Sequence, residues 1–82
     1  MIRYSYMRRP DNKIGIFSPE AKQALVISQD GFKAVFMKLS ADHPEVMPNE
    51  ITEIGLSFGS MALTTWNKLV SMAKKQGAEI IE

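Results

Sequence analysis

The sequence predicts an α+β fold, an N-terminal antiparallel β-hairpin packed on a mainly helical C-terminal part that includes a candidate helix-turn-helix. Three patterns carry that reading. Ile2, Tyr4 and Tyr6 alternate with Arg3 and Ser5, the period of a strand with one buried face. Phe32, Val35, Phe36 and Leu39 recur at i, i+3, i+4 and i+7. Ile51, Ile54, Phe58, Met61, Thr65, Trp66, Leu69 and Ala73 form a longer helical stripe.

Pro10-Asp11-Asn12 supplies turn chemistry and Lys13 to Phe17 resumes an apolar, β-branched run, so residues 2–17 read as a hairpin with a loop longer than two residues. Ser18-Pro19-Glu20 carries a helix-start signature: a hydroxyl that accepts an orphan N–H, Pro at the first helical position, and an acid at the positive end of the dipole. Residues 19–39 then admit two short helices or a second hairpin turning at Gln29-Asp30-Gly31. The spacing from Phe32 to Leu39 favours helices, with Ser28 as a cap and Asp30 in the first turn.

Pro44 and Pro48 deny a helix interior to residues 40–49, an acidic connector. Residues 50–76 read as helical, either one bent helix or two helices broken near Gly55 to Ser60, with Trp66 in the core. Gly77 ends the helix after Lys74 and Lys75, whose charges complement the dipole, and residues 78–82 form a short strand or a frayed tail.

A chain of 82 residues suits one domain covering 1–82. Such a domain buries only about 60% of its unfolded surface, so a partner or a homodimer would help it. Hydrophobic residues at 45% and charged residues at 23% argue against disorder over most of the chain. The absence of Cys and the presence of a single His remove thiolate and imidazole clusters, so neither a metal nor a cofactor is expected. No apolar run is long enough to span a bilayer and no secretory h-region opens the chain, which gives a cytoplasmic expectation.

Net charge is +1, but unevenly spread. Residues 1–38 hold seven Lys or Arg against three acids, residues 39–67 four acids with no Lys or Arg, and residues 68–82 three Lys against two Glu.

Gly55-Leu56-Ser57-Phe58-Gly59 spells G-x-S-x-G, which in a hydrolase marks a nucleophile on a strand-to-helix elbow. That chemistry needs an acid and a His downstream, whereas the one His, His43, lies upstream between Asp42 and Pro44 and is expected to be exposed. Glu50 and Glu53 share a helix face at i, i+3 but lack a third ligand, and they fit a helix N-terminus better than a metal site. No Gly-rich phosphate cradle is present. A non-enzymatic protein is expected.

The same five residues fit the turn of a helix-turn-helix. Gly55, Leu56, Ser57 and Met61 match its pattern, while Glu50, Ile51 and Thr64 depart from it. A recognition helix beginning near Ser60 would turn some of Ser60, Thr64, Thr65, Asn67, Lys68 and Ser71 toward a groove, with Lys74 and Lys75 near phosphates. Arg3, Arg8 and Arg9, interleaved with Tyr4 and Tyr6, would add a basic hairpin. A ribbon-helix-helix using Lys33 to Leu39 as the ribbon is a weaker variant, because Pro44 and Pro48 fall in its first helix. The leading expectation is a small DNA-binding regulator. The rival is an interaction or inhibitor module that docks its basic hairpin or acidic connector on a larger protein.

Overall fold

The computed structural model describes residues 1–46 and 57–82. Its elements are β1 (Ile2–Arg8), β2 (Lys13–Ser18), β3 (Gln23–Ser28), α1 (Gln29–Asp42), β4 (Ser57–Met61), α2 (Leu63–Lys75) and β5 (Glu79–Ile81). The strands form one antiparallel sheet in the order β4-β1-β2-β3-β5, with both helices on one face. The α+β class and the N-terminal hairpin are as the sequence predicts.

Alternation sets the two sides of the sheet. Ile2, Tyr4, Tyr6, Ile14, Ile16, Leu25 and Ile27 point to the helices and share a core with Phe32, Val35, Phe36 and Leu39 of α1 and Trp66, Leu69 and Ala73 of α2. The β1–β2 register pairs Tyr6 with Ile16 and Arg8 with Ile14, and a four-residue loop, Arg9 to Asn12, closes the hairpin with Asn12 at φ 61°.

Residues 19–39 resolve into neither of the expected forms. Ser18 accepts the Ala21 N–H at 3.2 Å, the local bond of a helix cap, but Lys22 at φ 56° reverses the chain into strand β3, which pairs with β2 from Ser18↔Gln23 to Lys13↔Ser28. The helix expected over Phe32 to Leu39 does form. Ser28 caps it by accepting the Gly31 N–H at 3.1 Å, and Asp30 lies in its first turn. A ribbon over Lys33 to Leu39 is thereby overturned, and α1 extends through Asp42 into the stretch expected to be connector.

The helical reading of 50–76 needs a second correction. Ser57–Met61 is strand β4, paired to β1 from Ile2↔Met61 to Tyr6↔Ser57, so these residues are neither a helix-turn-helix turn nor part of one bent helix. Met61 is buried through strand alternation. Gly55, Leu56, Glu50, Ile51, Glu53 and Pro48 lie outside the described residues.

Helix α2 ends as expected: the Ala78 N–H reaches the Ala73 carbonyl at 3.0 Å and the Gly77 N–H the Lys74 carbonyl at 3.1 Å, with Gly77 at φ 85°. The tail then pairs as β5 along β3. Among the described residues no helix is long and apolar enough to cross a membrane.

Candidate nucleic-acid interface

Helix α2, about 20 Å long at 1.5 Å per residue, has two distinct faces. Thr65, Trp66, Leu69 and Ala73 are buried. Thr64, Asn67, Ser71, Lys74 and Lys75 are exposed and Lys68 is half-buried, so six of the residues singled out in the sequence lie on the solvent side of one helix. The helix contains three Lys and no acid.

Between α1 and α2 runs a groove of about 430 Å³, floored in part by Val35 and Met72 and bordered by Lys38, Lys68, Lys75 and Asp42. Lys68 donates to Asp42, and the ammonium holds that carboxyl below the usual aspartate range by its hydrogen bond and its charge. Lys38, Lys74 and Lys75 have no ion pair among the described residues. They are the cations on and beside α2 left for an anionic ligand.

The remaining residues singled out in the sequence go elsewhere. Thr65 is buried, with its Oγ1 3.4 Å from His43 Nδ1 at the junction of the two helices. His43 is accordingly half-buried rather than exposed, and Glu45 Oε1 lies 3.6 Å from the same nitrogen. Ser60 sits on β4 across from Arg3, on the helix-free side of the sheet. Arg3 is occupied by Glu20: its Nε donates to Oε1 at 2.7 Å and its backbone N–H to Oε2 at 3.2 Å, which lowers the Glu20 pKa. Arg9 pairs with Asp11 at 3.3 Å, and Arg8 ends β1 beside the hairpin loop. Arg3, on the helix-free side, therefore does not share a continuous patch with the α2 surface.

Ser57 opens a strand opposite Tyr6, not a strand-to-helix elbow. The sequence reading missed Asp42 and placed Lys38 on a ribbon instead of a helix. Once Phe32, Val35, Phe36 and Leu39 define the buried stripe of α1, both fall on its flank at i, i+4, which is the signal that places them beside a neighbouring helix. No family model matches the chain, and no curated protein or solved structure matches it to a significant degree.

Proposed function

We propose that this is a small non-enzymatic DNA-binding protein that meets the phosphate backbone with the solvent face of α2 and the Lys38 flank of α1, without a helix-turn-helix. The observation that carries the reading is the composition of that face: Thr64, Asn67 and Ser71 interleaved with Lys68, Lys74 and Lys75, and no acid on the helix. Ammonium groups neutralise phosphates, and short polar side chains between them reach base edges. Docking of the basic hairpin on a larger protein has weaker support, because Arg3 and Arg9 are already engaged by Glu20 and Asp11.

The test is the salt dependence of binding to a 20-base-pair duplex, read by fluorescence anisotropy. With Lys38, Lys74 and Lys75 each releasing about 0.9 counterion, the log-log slope is expected near −2.7, or roughly a 40-fold loss of affinity between 50 and 200 mM salt. Lys38→Ala with Lys75→Ala should flatten the slope by about 2 units. Absence of binding at 50 mM salt, or a slope unchanged in the double variant, refutes the proposal.

A further inference from the structure

The helices cover only one side of the sheet. On the other side the register aligns Ser5, Phe17, Ala24 and Ile81 in one row and Met7, Gly15, Val26 and Glu79 in the next. Met7, Phe17 and Ile81 are 55%, 48% and 50% exposed, which puts half of the large exposed hydrophobic residues among the described residues on this one face. Val26 belongs to the same side and is not part of the core shared with the helices. Three large apolar side chains about half exposed around the buried Val26 on one sheet face mark a contact surface rather than scattered surface residues.

We infer that a second copy of this chain covers this face, joining two sheets back to back in a homodimer with the helices outward. The charges argue for self-association. Arg3 and Glu20 neutralise each other at one end of the face. Lys13, one row beyond Gly15 on β2, and Glu79, beside Val26 on β5, remain on opposite sides of an oblique line drawn between Gly15 and Val26. A two-fold axis in the plane of the interface, passing between Gly15 and Val26, sets Lys13 of one copy against Glu79 of the other and brings the two Phe17 rings together. A surface that holds both members of a complementary pair is complementary to itself. It lacks the cationic excess that a nucleic acid or an anionic membrane requires.

The area suits the same occupant. Five strands of three to seven residues, about 4.8 Å apart, give a footprint of roughly 400 Å² per copy, so two copies bury about 800 Å², the size of a weak contact between copies. The exposed surface of the monomer, 4969 Å², is already what a compact chain of 9.2 kDa shows, about 4,900 Å². A dimer through this face would therefore join monomers that are already compact.

Sedimentation equilibrium on the full chain over a wide concentration range tests this. The wild type is expected to pass from monomer to dimer as concentration rises. Phe17→Lys should hold it monomeric. So should Gly15→Glu, because a Cβ at Gly15 would meet only the Leu25 carbonyl oxygen at an ordinary 3.9 Å, with the backbone outside the left-handed region. Circular dichroism melts of both variants should stay close to wild type, which separates lost association from lost folding. Lys13→Glu or Glu79→Lys alone should weaken the dimer at least several-fold, and the two together should restore it. A wild type that stays monomeric throughout, a dimer that persists in Phe17→Lys and Gly15→Glu, or a charge swap that restores nothing overturns the inference. DNA binding through α2 is read independently, since none of these substitutions lies on the helices.

Discussion

Tyr4 and Gly59 face each other across β1 and β4, with the ring packed so closely over the glycine that a Cβ there would fall 2.4 Å from Tyr4 Oη and 2.6 Å from its Cζ. Only a residue without a side chain allows the ring to lie there, so the second glycine of the G-x-S-x-G string serves packing. Gly59→Ala is expected to cost about 1 to 3 kcal/mol through forced displacement of the ring or strand. Adding Tyr4→Phe removes the nearest atom and should recover part of that loss. Urea unfolding of the single and double variants measures both, and a Gly59→Ala protein as stable as wild type would contradict the close packing.

That pair also explains what the sequence did and did not disclose. Residues whose structure is fixed by near neighbours were legible: the alternation of Ile2, Tyr4 and Tyr6, the Ser28 cap of α1, the Gly77 stop of α2. Strand β4 depends on pairing with β1 more than fifty residues earlier in the chain, and Phe58 and Met61 happen to continue the helical spacing of Thr65 and Trp66. Strand β3 was hidden for a different reason. The Ser18 hydroxyl makes the same bond to the Ala21 N–H in a turn as it would at a helix start, and the reversal at Lys22 is not encoded by a Gly or Asn. For the interface, polar positions on α2 were readable from its apolar stripe. The burial of Thr65 was readable from the same stripe, but its contact with His43 was not, because that residue arrives from the end of α1.

Trp66 is fully buried, and its indole N–H donates to Gln23 Oε1 of β3 at 2.8 Å, tying α2 to the sheet. Trp66→Ala should destabilise by about 3 to 5 kcal/mol through the cavity it leaves. Gln23→Leu should cost less, about 1 to 3 kcal/mol, because it strands the indole donor in the core without removing volume. Urea unfolding followed by circular dichroism measures both variants, since Trp66→Ala removes the single tryptophan. A Gln23→Leu cost matching that of Trp66→Ala would mean the hydrogen bond, not the ring, holds α2.

Asp42 and Lys68 link the end of α1 to the first turns of α2, and the lysine lowers the Asp42 pKa. A depressed carboxyl pKa contributes stability that is present above the ordinary aspartate range and is lost as pH falls through the depressed value. Both side chains are about half exposed, so the contribution is small and screened by salt. NMR titration should find the Asp42 midpoint below the usual range in wild type, raised by Lys68→Met and kept low by Lys68→Arg. An Asp42 midpoint indifferent to Lys68→Met would show that the pair does not persist in solution.

If α2 reads DNA, its exposed residues divide by chemistry, and the division is measurable. Lys74→Ala with Lys75→Ala should weaken binding to all duplexes alike and flatten the log-log salt slope by about 2 units, since each phosphate contact contributes ~0.9. Asn67→Ala and Thr64→Val should leave the slope unchanged and alter which sequence is preferred, because a side-chain amide or hydroxyl meets base edges, with about 1 to 3 kcal/mol of discrimination for a good bidentate contact. Thr65→Val is the internal control. Buried beside His43, Thr65 should affect stability and leave both slope and preference alone. Titrations of the four variants against a panel of duplexes separate these behaviours. If Asn67 and Thr64 variants keep the wild-type preference while Lys74 and Lys75 flatten the slope, binding is sequence-independent and α2 is a phosphate-contacting surface alone.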